Sequence, residues 1–438
     1  MNNRTVAEQI FLAGVDRVLP DRLISTTMYL QDNSLFINDF SFNLDPVRNI
    51  YVIGAGKASA LMGAEVERIL GERITAGHIV VKYGHSCKLN KIKVTEAGHP
   101  VPDEKGFSAT RSILEIAGKA TENDLVICLL SGGGSALLAD FPEGSSPEEI
   151  MIVNNLLVNC GASIGEINTV RKHLSGVKGG QLAKAVYPGI MISLILSDVI
   201  GDPLDVIASG PTVPDPTTFQ MAIEVLKKYN LTGPVPKGII DYLRDGTRGQ
   251  RPDTPTATDP VFEKAWNILI GNNRLALEAA QKKATELNLN SEIMSDHIEG
   301  EISEVSEYIV STVLKLQSDI NVSKPLCLLF GGEPTVRVSG KGTGGRNQHL
   351  ALFCSALIRD LKGITVLSAG TDGNDGPTSS AGAVVDCTTY INAMSQDIYP
   401  EEYLREFDSF NFFRKAGGYI ITGPTMTNVM DIIVVIIE

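Results

Sequence analysis

The residues best suited to chemistry lie in a glycine loop that follows a predicted buried strand. The segment CLLSGGGSALL, residues 128–138, holds three consecutive glycines between two serines. A hydrolase nucleophile needs the frame Gly-x-Ser-x-Gly, and neither serine has it. Residues without side chains expose successive N–H groups, which suits a phosphate, although a purely structural turn and a nucleophile remain alternatives. The residues predicted to bind substrate or phosphate here are Ser131, Gly132, Gly133, Gly134 and Ser135.

Another glycine turn, GAGKASA at 54–60, comes earlier in the chain and also follows a predicted strand. Gly54 and Gly56 permit a tight turn, and the helix that starts there offers its first amides to an anion. Lys57 adds a positive point charge at the same place. The dinucleotide fingerprint is matched only in part, because Ser59 replaces its last glycine and the next strand is not followed by an acidic residue. We predict nucleotide contacts at Gly54 and Gly56, the alternative being a turn with a solvated lysine.

Positive charge is concentrated in INTVRKHLSGVKGGQLA, residues 167–183, within an otherwise acidic chain. Arg171 and Lys178 are predicted to bind substrate or phosphate, and a solvated helix face is the alternative. Downstream, Asp198 follows a strongly apolar run. A carboxylate at the end of a strand suits a general base or magnesium coordination. Aspartate also favours turns for local reasons, so this position has a structural alternative too.

Glycine turns follow apolar runs in the second half of the chain as well. In GTGGRNQ, Arg346 begins a predicted helix, where the positive end of the helix dipole favours phosphate or carboxylate. In TDGNDGPT, Asp372 and Asp375 lie three residues apart and form a candidate metal site, although the rest of an EF-hand loop is missing. The residues predicted to complete the nucleotide contacts are Gly332, Glu333 and Asn347.

These residues need a scaffold, and the hydrophobic pattern predicts an α/β one. In the first half, short apolar runs at 49–56, 78–84, 91–96, 124–132 and 191–199 alternate with helical patterns. Such alternation is typical of a mostly parallel sheet covered on both faces. The proline- and glycine-rich stretch 231–260 reads as a connection between domains. We therefore predict a larger Rossmann-like domain over 1–245 and a second, mixed-sheet α/β domain over 246–438.

Composition narrows the function classes. The chain has 438 residues and a net charge of −13, which disfavours work on a nucleic-acid backbone. Its six cysteines are widely spaced, as expected of reduced, structural thiols in a cytoplasmic protein. The N-terminus lacks the pattern of a signal peptide, and no apolar stretch is long enough to cross a membrane. We expect a soluble protein without nucleic-acid or membrane partners, and either a monomer or a homodimer.

The motifs taken together resemble the class II glycerate 2-kinases, whose carboxy-terminal part is the MOFRL domain. The resemblance rests on GAGKAS, LLSGGGSALL, INTVRKHLSGVKGGQLA, LSDVIGDPLDVIASGP, GGEPTVRV, GGRNQ and AGTDGNDGPTSSAGAVVD, in order along residues 5–435. It implies ATP- and magnesium-dependent phosphorylation of D-glycerate at its 2-hydroxyl, with the active site in the inter-domain cleft. Lys57, Asp198 and Arg346 match the family's active-site positions.

The reading from the residues agrees with a kinase, because phosphoryl transfer depends mainly on positioning and charge neutralisation. Lys57 would neutralise the transferring group, Asp198 would orient or deprotonate the hydroxyl, and Arg346 would hold a carboxylate or phosphate. Two other functions remain open from the residues. An NAD(P)-dependent hydroxypyruvate reductase has the incomplete fingerprint and the missing acidic residue against it, although Lys82 could suit the 2′-phosphate of NADPH. A metabolite-binding sensor would bind ligand without releasing ADP.

Overall fold

The computed structural model describes residues 2–438 and divides into two compact units. The Rossmann unit comprises Leu23–Ile270, and the mixed-sheet unit joins the residues up to Arg22 to Gly271–Glu438. In chain order the strands are β1 (Met28–Gln31), β2 (Ser34–Ile37), β3 (Phe40–Asn43), β4 (Asn49–Ala55), β5 (Ile74–Lys82), β6 (Ile92–Ala97), β7 (Asp124–Leu130), β8 (Ile190–Leu196), β9 (Ala265–Gly271), β10 (Asn290–Ile298), β11 (Leu326–Gly332), β12 (Ile364–Gly370), β13 (Gly382–Asp386), β14 (Tyr419–Ile420) and β15 (Asp431–Ile437). The helices are α1 (Asn3–Arg17), α2 (Pro20–Thr27), α3 (Ser59–Leu70), α4 (Glu104–Ala117), α5 (Gly134–Leu137), α6 (Pro147–Asn159), α7 (Ile164–His173), α8 (Gln181–Val186), α9 (Phe219–Lys228), α10 (Lys237–Thr247), α11 (Asn273–Glu286), α12 (Ile302–Ser318), α13 (Arg346–Leu357), α14 (Cys387–Met394), α15 (Pro400–Arg405) and α16 (Ser409–Ala416).

The Rossmann unit is built on a six-stranded sheet of order β6-β5-β4-β7-β8-β9. The pairs from β6 to β8 are parallel. Counted in chain order within this sheet, the strands run 3-2-1-4-5-6, the doubly wound order of dinucleotide-binding folds. All seven residues of β7 are buried, which explains its uninterrupted apolar sequence. The sheet order reverses between β4 and β7, and loops at that point are where such folds bind ligands.

The mixed-sheet unit has a six-stranded sheet of order β10-β11-β15-β12-β13-β14. Only β10 and β11 pair in parallel, whereas the other neighbours are antiparallel. The strands β11, β12 and β15 are buried along their whole length and form the centre of the core. The two sheets confirm the predicted α/β class, one mostly parallel and one mixed.

The units are divided differently from the predicted boundary at residue 245. Strand β9 lies beyond that boundary but forms the edge of the Rossmann sheet. Helix α1, expected in the first domain, belongs to the mixed-sheet unit, where Arg4 forms a 2.6 Å ion pair with Asp386 and Asn3 donates to Glu438. Both assignments follow from pairing partners distant in sequence, which local hydrophobic patterns do not encode.

The stretch read as a connection, 231–260, contains helix α10, so that interpretation was wrong for its central part. Ile239, Ile240 and Leu243 on α10 pack into a core cluster with α6, α7 and α9. The helix is short and is framed by prolines and glycines, which obscured its apolar face. The antiparallel sheet β1-β2-β3 was also not predicted.

Within residues 2–438, no helix combines the length and apolarity needed to cross a bilayer.

Candidate active site

Two predicted glycine loops of the Rossmann unit meet at the point where the sheet order reverses. The first comprises residues 54–60 and the second residues 131–135. The main-chain N–H of Lys57 donates to the carbonyl of Gly132 at 2.9 Å, and that of Ser131 donates to Ala55 at 3.1 Å. The Ser131 hydroxyl is buried, accepts from the Ala58 N–H at 3.0 Å and lies 3.0 Å from the Ser59 hydroxyl. Ser131 thus joins the loops to each other, a role that suits a binding loop better than a nucleophile.

The glycines of the first turn are explained by this junction. Gly56 has a φ of +139°, a conformation that side chains rarely adopt, and an added Cβ would lie 2.7 Å from the Ser131 carbonyl carbon. At Gly54 an added Cβ would lie 3.0 Å from the Leu129 Cβ. Both positions therefore require glycine because a neighbouring strand or loop passes close by, whereas the nucleotide contacts at these glycines stay a prediction.

Asp198 lies against the second glycine loop. It follows β8, the neighbour of β7, and a Cβ added at Gly132 would lie 2.6 Å from the Asp198 Cγ. The parallel strands β4, β7 and β8 end at the same edge of the sheet, which brings Lys57, the glycine loop and Asp198 to that edge. A cation, a set of loop amides and a carboxylate in this arrangement can bind and orient a phosphorylated ligand.

His99 is a neighbour of this site that the sequence reasoning missed. It follows β6, and its Nε2 would lie 2.9 Å from a Cβ added at Gly133. Burial, together with the charges of Lys57, Lys82 and His85, lowers the pKa of His99 to about 4. The imidazole is therefore neutral near pH 7. Its signal in the sequence was a histidine directly after a predicted strand, in the segment GHPVP.

A cavity of about 380 Å³ opens beside the second glycine loop, wholly within the Rossmann unit. Gly133, Ser135, Arg171 and Lys178 all line it. The structure thus brings together four residues that the sequence indicated in two separate motifs. The Ser135 hydroxyl lies 2.7 Å from that of Ser209 and remains partly exposed toward the cavity.

The two cations of this cavity have different partners. The buried Lys178 ammonium donates to the Leu138 carbonyl at 2.6 Å and lies 3.5 Å from Asp140. Arg171 donates through Nε to the Asn154 side-chain oxygen at 2.8 Å, and burial lowers its pKa. Among residues 2–438, no carboxylate lies within 4.0 Å of the Arg171 guanidinium. A partly buried, unpaired guanidinium favours an anionic ligand.

In the mixed-sheet unit, Arg346 is held by two carboxylates. Its Nε and Nη2 donate to the two Asp431 oxygens at 2.6 and 3.0 Å, and its Nη1 donates to Glu333 at 2.6 Å. Burial lowers the pKa of Arg346, but the charge and hydrogen bonds of Asp431 and the charge of Glu333 raise it overall. The guanidinium is permanently charged and fixed in direction.

Asp431 was missed because the sequence does not reveal strand direction. Its position in the register is opposite Gly332 of β11 and Gly370 of β12, at the edge where those two strands end. Since β15 is antiparallel to both neighbours, this edge receives its first residue rather than its last. A rule that inspects only the carboxyl ends of strands therefore overlooks it.

The loops after β11 and β12 place the remaining predicted residues in the interior. Asp375 is buried and accepts the backbone N–H groups of Asn347 and Gln348 at 3.0 and 2.8 Å, which caps α13. Burial raises the pKa of Asp375 to about 6, against the effect of these hydrogen bonds. The Asn347 side chain is also buried and accepts from Ser368 at 2.6 Å. These contacts give Asp375 and Asn347 structural roles.

The other predicted positions in this unit have local partners too. Asp372 accepts the N–H of Asn374 at 3.0 Å. Gly332 has a φ of +144°, and an added Cβ would lie 2.8 Å from the Ile298 carbonyl carbon, so its glycine is required by β10. Across residues 2–438, His, Cys, Asp and Glu side chains form no group of three or more that could hold a metal ion. A metal caged by protein ligands alone does not fit Asp372 and Asp375.

Two family models match successive parts of the chain. Residues 6–244 match a domain of unknown function, DUF4147, and residues 326–431 match the MOFRL family. A D-glycerate 2-kinase of Thermotoga maritima is 40% identical over 98% of this chain and 97% of its own length. A crystal structure of a glycerate kinase from the same organism superimposes with a TM-score of 0.88 at 38% identity, covering 99% of each chain. An Agrobacterium vitis protein, 37% identical over 88% of this chain and 86% of its own, carries a provisional hydroxypyruvate reductase name.

Proposed function

This chain belongs to the MOFRL family of glycerate 2-kinases, and from that premise we propose that it transfers the terminal phosphoryl group of ATP to the 2-hydroxyl of D-glycerate. The products are 2-phosphoglycerate and ADP. The observation that carries the proposal is the meeting of Lys57, the Ser131–Ser135 loop and Asp198 at the edge of the Rossmann sheet where ligands of this fold bind.

The roles of the residues follow from charge and position. Lys57 neutralises charge on the transferring phosphoryl group, and the amides of the glycine loop bind phosphate oxygens. Asp198 orients the glycerate hydroxyl and accepts its proton. Arg346 binds a carboxylate or phosphate by exchanging its contact with Glu333, which is half-exposed, while the buried Asp431 continues to fix the guanidinium.

Magnesium would accompany the nucleotide. In nucleotide sites this ion is held by substrate phosphates and one or two carboxylates, and it neutralises developing charge. Asp198, next to the glycine loop, fits that requirement better than Asp375, whose carboxylate caps a helix. Six free cysteines, three of them buried in the core, fit a reducing cytoplasmic setting, which forms part of the proposal.

The proposal is tested by following ADP release from ATP with D-glycerate under reducing conditions and excess magnesium. Phosphorus NMR of the product identifies the phosphorylated position. Lys57→Ala should lower kcat by about 100- to 1000-fold, the usual cost of removing a group that stabilises transition-state charge. The matched control is Lys119→Ala, an exposed lysine on the same unit. Turnover of Lys57→Ala near that of the control would refute the role of Lys57.

A reductase is disfavoured by the structure of the glycine turn. Ser59, at the last glycine position of the fingerprint, is buried and donates to the Leu129 carbonyl at 3.1 Å. Absorbance of NADH or NADPH with hydroxypyruvate should stay constant in the presence of the protein. Steady oxidation of either cofactor, without ADP release from ATP and glycerate, would reverse the assignment.

A further inference from the structure

The cavity beside the second glycine loop is amphipathic. Helix α6 contributes Ile150, Met151 and Val158 to its wall, and the segment after β6 contributes Val101 and Pro102. The opposite character comes from Ser135, Arg171 and Lys178, which would contact an anion, and from Asp140, whose carboxylate is paired with Lys178. A ligand that matches both parts has a flat, mostly apolar body and a negatively charged tail.

The cavity is larger than the acceptor alone requires. Its volume of about 380 Å³ lies within the range of about 300–1000 Å³ that is usual for cofactor and drug-sized ligands. A small hydroxy acid such as glycerate would fill only a minor part of it. The surface of glycerate is almost entirely polar, so glycerate would also leave the apolar wall of the cavity without a partner.

The rim of the cavity is apolar and accessible. Val101 is 58% exposed and Val158 is 62% exposed, and both line the same opening. Single exposed valines are common on protein surfaces, but two that border one cavity form a surface a heterocycle could cover. The side chains of Asn154 and Asn155, on the same face of α6, add hydrogen-bonding groups that could contact the edge of a base.

The part of the cavity lined by Gly133 adjoins the loop that contacts Lys57. Gly133 lines the cavity, and the preceding residue, Gly132, accepts the Lys57 main-chain N–H at 2.9 Å. Arg171, in the lining of the same cavity, supplies a positive charge that has no carboxylate partner among residues 2–438. A chain of phosphates that starts in the cavity would therefore run along the glycine loop toward Lys57.

We propose that this cavity binds the adenosine part of ATP, with the base against Val101, Met151 and Val158 and the phosphates passing Ser135 toward Lys57. The proposal rests on the proposed kinase function and deepens it by assigning the donor site to the Rossmann unit. It also relocates the nucleotide from Gly332, Glu333 and Asn347, where the sequence placed part of its contacts.

The test is a neutral double variant of the rim, Val101→Ser/Val158→Ser. Removing this apolar surface should weaken ADP binding about tenfold, measured by calorimetry on the full chain without glycerate. The matched control is Ile152→Ser/Ile164→Ser, since these side chains are 45% and 57% exposed on the same unit but do not line the cavity. The control should bind ADP as the unmodified protein does.

Steady-state kinetics separate this proposal from the proposed function. The rim variant should raise KM for ATP about tenfold and leave KM for D-glycerate within about twofold. Unchanged ADP binding, or a rise in KM for glycerate alone, would overturn the adenosine site while leaving the kinase assignment intact. Weakened ADP binding without turnover in any variant would support the nucleotide site and count against glycerate as the acceptor. Thermal unfolding of both variants verifies that they are folded.

Discussion

Gly132→Ala is the most direct test of how the Rossmann unit positions Asp198. The φ of Gly132 is not positive, so alanine is compatible with its backbone. The new Cβ would lie 2.6 Å from the Asp198 Cγ, whereas ordinary contacts begin at 3.4 Å. The carboxylate must therefore retreat by about 1 Å, and a displacement of that size costs roughly 100-fold in rate. We expect kcat/KM for D-glycerate to fall by about that factor, with about 1–3 kcal/mol of destabilisation from overpacking.

A double-mutant cycle isolates the cause. When Asp198→Ala is already present, the added methyl group has no carboxylate to displace, so Gly132→Ala should then change kcat/KM by less than about threefold. Gly233→Ala is the control for the loss of a glycine, because nothing lies within 4 Å of its added Cβ. The assay is ADP release, with urea unfolding in parallel. Equal effects of Gly132→Ala with and without the Asp198 carboxylate would refute the proposed contact.

The other predictions concern buried charge. Asp431→Asn leaves the Arg346 guanidinium without its buried bidentate partner, and we expect urea unfolding to show a loss of about 3–5 kcal/mol. Asp360→Asn, which removes an 85% exposed partner of an exposed pair, should cost less than about 1 kcal/mol, and equal losses would contradict this reasoning. Burial lowers the pKa of His349 to about 4, so the unfolded chain binds its proton first as pH falls below about 6.5. The free energy of unfolding should therefore decline from about pH 6.5 to 4, by on the order of 3 kcal/mol for this residue. His349→Gln should flatten the pH dependence of the urea midpoint. An unchanged slope would show that the imidazole is not buried as a neutral group.

Much of the fold could be predicted because its strands are buried on both faces. Strand β7 was expected at 124–132 and spans Asp124–Leu130, and α6 was expected at 147–160 and spans Pro147–Asn159. Such elements announce themselves by continuous apolar runs or by a proline after a capping serine. Helix α10 was missed because it is short and is bordered by turn residues. Pairing of β9 with β8 and packing of α1 against the C-terminal part of the chain depend on partners distant in sequence, which no local pattern encodes.

The candidate site shows the same division. The positions of Lys57, Ser131 and Asp198 could be predicted from the sequence. Parallel strands end at one edge of a sheet, so a glycine turn or carboxylate after each strand converges there. The position of Asp431 could not be predicted in this way, because Asp431 begins an antiparallel strand. Asp375 looked like a metal ligand because aspartates in a glycine loop often are, but its carboxylate caps α13. The sequence shows the residue types, and only the fold shows which side chains already accept hydrogen bonds from other parts of the protein.

The placement of α1 has a consequence for biosynthesis. This helix is synthesised before the Rossmann unit, yet the rest of its own unit begins at Gly271, after the whole of Leu23–Ile270. The Rossmann unit is continuous and can form its core as soon as β9 has been synthesised. Helix α1 must wait through the synthesis of that entire unit before α11 and the β12 and β15 strands provide its packing surface. The nascent chain thus carries a helix whose buried side chains have no partner until α11 and two strands of the later sheet, β12 and β15, have been synthesised.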